Sequence, residues 1–271
     1  MTINFRSIWI SDTHLGGKNI KSRQLYQFLQ QTDSDYLYLV GDIFDLLQLA
    51  RKWYWPSINS QIVNLVLQKA QNGTRVVYMP GNHDGVLRNY IGSRFNGIEI
   101  LEETVHTAVD GSRYLVLHGD TFDCIIQKSP WLARLGGVLY DWLLSLNRYY
   151  NRVRRFFGKD YFSISACLKH KCKKAVNYIS DFEETLLGKI NRHKVDGIVC
   201  GHIHNAAIKQ MGESLYCNAG DWVESCTALA ENHNGTMGII NWSVKNPLPE
   251  TLPRHEYEKD RSSDGCLAPT N

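Results

Sequence analysis

Five short apolar runs, rich in β-branched and aromatic residues, recur along the chain: IWI (8–10), YLYLV (36–40), VVYM (76–79), YLVL (114–117) and GIVC (197–200). Runs of this length closed by Gly, Pro or a polar residue predict buried strands. Between the first three the spacing changes to that of helices. In KSRQLYQFLQQ (21–31), Leu25, Phe28 and Leu29 share one face. SINSQIVNLVLQKAQ (57–71) opens on Ser57 as a cap, repeats Ile58, Ile62, Leu65 and Val66, and stops at Asn72-Gly73. Residues 98–109 and 113–118 predict two successive strands joined by the turn pair Asp110-Gly111. A last hairpin is expected through SLYCNAGDWV (214–223) and TALAENHNGTMGII (227–240), with Asn234-Gly235 at its turn. This β-α-β-α-β opening followed by further strands predicts a layered α/β sandwich.

Residues 125–192 break the alternation. They predict about three helices rich in aromatic and basic residues, inserted between the strand before His118 and the strand before Gly201. The expected organisation is a core of residues 1–124 and 193–243, a helical insertion over 125–192, and an irregular tail over 244–271 that holds four of the seven prolines. The whole chain carries a net charge of +3, but the charge is uneven: residues 128–194 contain fourteen Lys and Arg against five Asp and Glu. A basic middle segment fits either a solvated helical face or an anionic partner. The 271 residues contain no apolar stretch near the ~20 residues of a membrane span. MTINFRSIWISD enters a strand at once, so no signal peptide is expected. Seven cysteines without a CxxC pair predict reduced thiols and a cytoplasmic protein.

The chemistry sits immediately after the strands. Asp12-Thr13-His14, Gly41-Asp42, Gly81-Asn82-His83-Asp84, His118-Gly119-Asp120 and Gly201-His202-Ile203-His204 each follow an apolar run. In sheets with helices between the strands, ligand sites collect at these C-terminal ends. Asp12, His14, Asp42, Asn82, His118, His202 and His204 supply mixed carboxylate, amide and imidazole donors, enough for two divalent ions of the Mn, Fe or Zn kind. Asp12-x-His14 and His202-x-His204 are expected to present both side chains on one face of an extended segment. Asp42, alone at its strand end, is the expected bridge between two metals. Asp45, Asp120 and Asp221 carry no comparable motif; a cap or a turn is expected for Asp120 and Asp221.

The order D-x-H, G-D, G-N-H-D, H-G-D, G-H-x-H over residues 8–221 resembles the calcineurin-like metallophosphoesterase superfamily, an αββα sandwich. The resemblance implies that Asp12, His14, Asp42 and His204 hold one metal, and that Asp42, Asn82, His118 and His202 hold the other. It implies His83 as the catalytic histidine at the leaving oxygen, with Asp84 orienting it by hydrogen bonding. Two divalent ions are implied, Mn2+ foremost and Fe or Zn as alternatives.

SDTHLGG, YLVGDIFDLL, RKWYWP, VVYMPGNHD and LVLHGDTFD are together similar to the UDP-2,3-diacylglucosamine hydrolase family of lipid A synthesis. That likeness implies cleavage of a pyrophosphate, releasing UMP and 2,3-diacylglucosamine 1-phosphate, by a peripheral protein on the cytoplasmic face of the inner membrane. It also implies a lid in the helical insertion. There Trp131, Leu135, Val138, Leu139, Trp142, Leu143 and Leu146 form an apolar stripe, either core packing or an acyl-chain surface. Arg148, Arg152, Arg154, Arg155, Lys169, Lys171, Lys173 and Lys174 would meet phosphates or lipid head groups. His83, where the best-known branch carries Arg, and GHIHNA (201–206) mark a divergent branch. The alternatives are a soluble phosphodiesterase or Ser/Thr-type phosphatase of the same superfamily and, from another class, a nucleic-acid-binding module. The insertion carries no nucleic-acid motif, so no nucleic-acid partner is expected.

Overall fold

Three interlayer cores organise the chain, and they follow from strict alternation along the strands. In a strand, successive side chains point to opposite faces of the sheet. In β2 (Thr32–Val40), Leu37 and Leu39 enter one core while Tyr38 and Val40 enter a second. β3 (Arg75–Met79) repeats the division, with Val76 and Tyr78 on one side and Val77 and Met79 on the other. In β7 (Arg113–Leu117), Tyr114 and Val116 join the second core, whereas Leu115 and Leu117 build a third. Both faces of these strands are therefore covered, as their continuous apolar sequence demands.

The computed structural model describes residues 2–18, 20–122 and 186–243. The predicted helices over 125–185, with their apolar stripe and basic residues, and the predicted tail 244–271 lie outside the described residues. Within them, β1 (Ile3–Ile10), α1 (Ser22–Gln31), β2, α2 (Leu46–Arg51), α3 (Ser57–Gln71) and β3 follow in order. Next come β4 (Arg94–Phe95), β5 (Ile98–Ile100), β6 (Glu103–Thr107) and β7. Residues 186–193 form α4, then β8 (Gly197–Cys200), β9 (Ala207–Met211), β10 (Ser214–Asn218), β11 (Thr227–Glu231) and β12 (Met237–Asn241) complete the fold. One sheet has the order β12-β11-β1-β2-β3-β5-β4 and the other β6-β7-β8-β10-β9. Apolar residues of α1 and α3 cover the outer face of the first sheet. Leu186 and Ile190 of α4 cover the outer face of the second, against Leu115 and Ile198. The result is the αββα sandwich. Among the described residues no helix is long and apolar enough to cross a membrane.

Three sequence expectations are corrected. The run 98–109 is not one strand: β5 pairs with β3 in the first sheet and β6 pairs with β7 in the second, so the chain changes sheet at Leu101-Glu102. Of the hairpin expected through 214–223 and 227–240, the turn at Asn234-Gly235 forms, but 214–223 takes no part in it. β10 pairs with β8 and with β9, while β11 pairs with β12 through the Asn234-Gly235 turn and with β1. β9, half exposed and weakly apolar, gives little strand signal of its own. At α3, Pro56 is the capping residue and Ser57 the first helical residue, without a side-chain cap.

One polar group ties the two sheets together. Glu231 of β11, fully buried, accepts from Ser7 Oγ at 3.0 Å and from Arg6 Nη1 at 2.8 Å, and lies 2.9 Å from His106 Nε2 of β6. The other ring nitrogen of His106 meets Tyr38 Oη at 2.9 Å. Burial alone would raise the Glu231 carboxyl, but the bonds from His106, the Val109 N–H and Arg6 outweigh it and hold it at about 2. A carboxyl lowered on folding stabilises fully above its unfolded value and loses that contribution as pH falls through the folded one. Glu231→Gln is therefore expected to cost about 3 kcal/mol at neutral pH, since Arg6 loses its buried counter-charge. It should also remove the part of acid sensitivity that appears between about pH 5 and 2. Denaturant unfolding at pH 7 and pH 4 measures both effects; a variant with unchanged stability at pH 7 would show that the network contributes nothing.

Candidate active site

All five motifs stand at one edge of the sandwich, tied to each other by backbone bonds or, for Gly81–Asp84, through the carboxylates of Asp42 and Asp84. The segment after β1 runs beside the one after β2: Asp12 N–H donates to Gly41 O at 3.1 Å, His14 N–H to Asp42 O at 2.9 Å, and Leu15 N–H to Ile43 O at 2.8 Å. Gly201 N–H donates to His118 O at 3.1 Å, and His202 N–H reaches back to Asp12 Oδ2 at 2.8 Å. Asn218 at the end of β10 fixes the last loop, donating to Gly201 O at 2.6 Å and accepting from Gly220 N–H at 2.9 Å. Trp222 N–H donates to Asp12 O at 3.1 Å.

The D-x-H and H-x-H segments are not extended, contrary to the sequence expectation. Asp12, His14, Asp42, His202 and His204 all adopt positive φ, between 48° and 67°, and only three other described non-glycine residues do so. Left-handed backbone costs such residues roughly 1–3 kcal/mol each, and is tolerated where the surroundings enforce it. The crossing hydrogen bonds supply that enforcement. Strain gathered at the donor residues is what a site held ready for a ligand shows.

The side chains form two connected clusters. Asp12, His14 and His204 converge: His204 Nε2 is 3.1 Å, and His14 Nε2 3.8 Å, from Asp12 Oδ1. Asp42, His118 and His202 form the other. Asp42 Oδ2 faces both groups, 3.5 Å from His118 Nε2 and 3.8 Å from His14 Nε2. Its other oxygen accepts from His83 N–H at 2.7 Å. His14 Nε2 and His118 Nε2 are buried without a hydrogen-bond partner. Buried polar atoms are rarely left so unless something else satisfies them. Separations of 3.5–3.8 Å are too long for hydrogen bonds and suit donor atoms that each sit about 2.0–2.2 Å from a shared cation.

The electrostatics agree. His118 Nδ1 lies 2.9 Å from Val40 O, which fixes the ring and directs Nε2 at Asp42. Burial disfavours a charged His118, but Asp42 and Asp12 outweigh it and lift its pKa to about 10. Burial lowers His14 to about 4 despite Asp42, leaving a neutral imidazole. Asp12 is held at about 2 and Asp42 lower still, since the neighbouring imidazoles overcome the penalty of burial. Two buried carboxylates at full charge, the neutral imidazole of His14 and the ring of His118, whose proton a bound cation would displace, make a donor set for divalent cations. The residues present therefore fit two metal ions. Asn82 lies exposed in the same loop, between Gly81 and His83.

His83 stands beside the clusters, its ring centroid 4.6 Å from that of His14. Its orienting partner is not Asp84. His83 Nδ1 lies 3.1 Å from Asp45 Oδ1. Asp84, fully buried, instead accepts from Gly81 N–H at 2.6 Å, Ile43 N–H at 2.8 Å and Phe44 N–H at 3.2 Å, and from Tyr78 Oη. Its carboxylate points away from the His83 ring to clamp the two loops, and burial with the nearby Asp42 charge raises its pKa. Sequence reasoning missed Asp45 because Asp ahead of LLQLAR signals a helix cap, which it also is: Gln48 N–H donates to Asp45 Oδ1 at 3.0 Å. Burial would lower His83, but Asp45 and then Asp42 raise it, favouring the protonated ring. Asp120 accepts a pair of bonds from Arg88 Nη2 at 2.9 and 3.0 Å, and Asp221 caps the turn at Val223 and Glu224.

Gly81 is required by space. A Cβ there would lie 2.6 Å from His118 Nε2 and 2.7 Å from Asp42 N. Gly81→Ala is expected to displace both donors, reduce turnover by about 10²-fold and lower the melting temperature as well, because the clash includes backbone. Assay and melting curve together check this; full activity would show that the loop tolerates a side chain at the donors.

An αββα sandwich with carboxylate and imidazole clusters along one edge is the make-up of a metal-dependent phosphoester hydrolase, and comparison with known proteins agrees. Residues 5–206 match Calcineurin-like phosphoesterase, and the chain belongs to that family. It is a metal-dependent hydrolase of phosphoric esters or pyrophosphates. Similar proteins include UDP-2,3-diacylglucosamine hydrolase of Psychromonas ingrahamii, 25% identical over 80% of this chain and 89% of that one. The protein of the same name from Wigglesworthia glossinidia brevipalpis is 26% identical over 88% of this chain and 94% of its own. Among solved structures the chain resembles Yfce, a phosphoesterase from E. coli, with 12% identity and a TM-score of 0.46 over 90% of this chain and 96% of that one.

Proposed function

We propose that the protein hydrolyses the pyrophosphate bond of UDP-2,3-diacylglucosamine, giving UMP and 2,3-diacylglucosamine 1-phosphate, at the cytoplasmic face of the inner membrane. Asp12, His14 and His204 would hold one divalent cation, and Asn82, His118 and His202 the other, with Asp42 placed to serve both. Mn2+ is the assigned metal, with Fe and Zn as alternatives. The observation that carries the reading is Asp42 Oδ2 facing an imidazole of each cluster, at 3.5 and 3.8 Å. The relatives named UDP-2,3-diacylglucosamine hydrolase, matched over at least 80% of this chain, support the substrate.

When bound, two divalent cations supply Lewis acidity to the phosphoryl oxygens and lower the pKa of water. The protein's own groups do the rest. The carboxylates of Asp12 and Asp42 are buried, so a cation bound between them would be weakly screened. His83, with Nδ1 held by Asp45, presents Nε2 to the leaving oxygen and gives it a proton or offsets its charge. Asp84, clamped to four donors, holds the His83 loop against Ile43 and Phe44.

Mn-loaded protein incubated with UDP-2,3-diacylglucosamine is expected to release UMP, read by chromatography. If that substrate survived while bis-p-nitrophenyl phosphate was cleaved, the chain would be a soluble phosphodiesterase instead.

A further inference from the structure

Exposed aromatic and aliphatic side chains are few on the described surface, and Leu47, Trp53, Tyr54 and Val86 belong to segments that follow residues of the candidate active site. Trp53 is 74% exposed, Leu47 51% and Val86 58%. Leu47, in the first turn of α2, lies two residues past Asp45, and Val86 lies two past Asp84, so both follow the residues that meet at His83. Tyr54 is exposed beside Trp53. The loop holds Trp53 outward by fixing its neighbour: Trp55 donates from Nε1 to Ser60 Oγ at 2.9 Å and packs on Phe44. Arg51 and Lys52 precede the aromatic pair, both exposed, and among the described residues neither forms an ion pair. No acidic residue occurs between Asp45 and Asp84.

We infer that Leu47, Arg51, Lys52, Trp53, Tyr54 and Val86 form the surface by which the protein docks on an anionic lipid bilayer. The composition is that of an interfacial anchor: Trp and Tyr favour the head-group layer, aliphatic residues enter below it, and Lys and Arg meet anionic head groups. The charge is complementary, with two unpaired cations and no carboxylate in the loop. The position is functional. Docking here sets the mouth of the site at the bilayer surface, where an acylated sugar pyrophosphate can reach His83 without leaving the lipid. The inference deepens the reading of a lipid-linked substrate by naming the surface that meets the membrane, and rests on that reading for the source of the lipid.

Co-sedimentation of the full chain with vesicles tests it. Vesicles of phosphatidylcholine with phosphatidylglycerol are expected to retain the protein, and phosphatidylcholine vesicles to retain much less. Trp53→Ala and the double variant Arg51→Glu, Lys52→Glu should each weaken retention by about tenfold, while cleavage of the water-soluble ester bis-p-nitrophenyl phosphate stays unchanged. Absence of vesicle binding by the wild type, or binding by both variants as tight as the wild type's, would overturn the proposal. Vesicle binding requires no turnover, so its failure is distinct from a failure to cleave UDP-2,3-diacylglucosamine.

Discussion

Asp42→Asn is expected to lower kcat by about 10³-fold or more, on water-soluble esters as well as on the lipid substrate. The substitution keeps shape and can keep the bond from His83 N–H, which is 2.7 Å from Oδ1. What it removes is the charge on the oxygen that faces His118 Nε2 and His14 Nε2. An amide there offers one neutral oxygen to two cations. Loss of several kcal/mol of charge stabilisation at the reacting phosphoryl group corresponds to the stated rate. The fold should survive, because Asp42 lies beyond the end of β2 and the backbone bond it accepts from His14 N–H is unaffected. Steady-state kinetics on a variant with an unaltered melting curve check the claim. A variant with more than a tenth of the wild-type rate would show that Asp42 is not shared.

The second large effect concerns His83 and Asp45. His83→Ala is expected to reduce kcat by roughly 10²- to 10⁴-fold for esters with poorly acidic leaving groups, and far less for p-nitrophenyl esters, whose leaving oxygen needs no proton. Asp45→Asn should reproduce the same leaving-group pattern more weakly, because the amide keeps the cap on Gln48 but no longer supports a protonated His83. Asp84→Asn is expected to act differently. It loosens a clamp made of three backbone N–H groups and Tyr78, so it should lower stability and affect all leaving groups alike. Rates across a series of leaving groups separate these roles. Equal losses for His83→Ala on every ester would remove its assignment as proton donor.

Much of this was legible in the sequence because the signals are local. Apolar runs closed by Gly, Pro or a polar residue mark β1, β2, β3, β7 and β8, and the donors stand directly after them, so Asp12, His14, Asp42, His118, His202 and His204 could be named without coordinates. Their clustering has a different cause from the one expected. Alternation along an extended strand does not bring Asp12 and His14 together; left-handed backbone does, enforced by bonds to Gly41 and Asp42 that belong to another segment. Strand partnership was less legible for the same reason. Nothing in 98–109 announces that Leu101-Glu102 carries the chain from one sheet to the other. The identity of the His83 partner turned on tertiary placement as well. Asp84 is adjacent in sequence but its carboxylate turns toward Ile43, whereas Asp45, 38 positions away, arrives at the ring. The spacing Asp42-x-x-Asp45 was the available signal, hidden by a helix cap that the same oxygen also provides.

The central claim is a two-metal centre with Asp42 in common, and metal content measures it directly. Protein loaded with Mn2+, freed of excess metal and analysed by plasma mass spectrometry is expected to hold two ions per chain. His204→Ala and His118→Ala should each lower the count toward one, and Asp42→Asn should weaken both sites together. A count of one in the wild type, or an Asp42→Asn variant that keeps two ions with unchanged affinity, would contradict it.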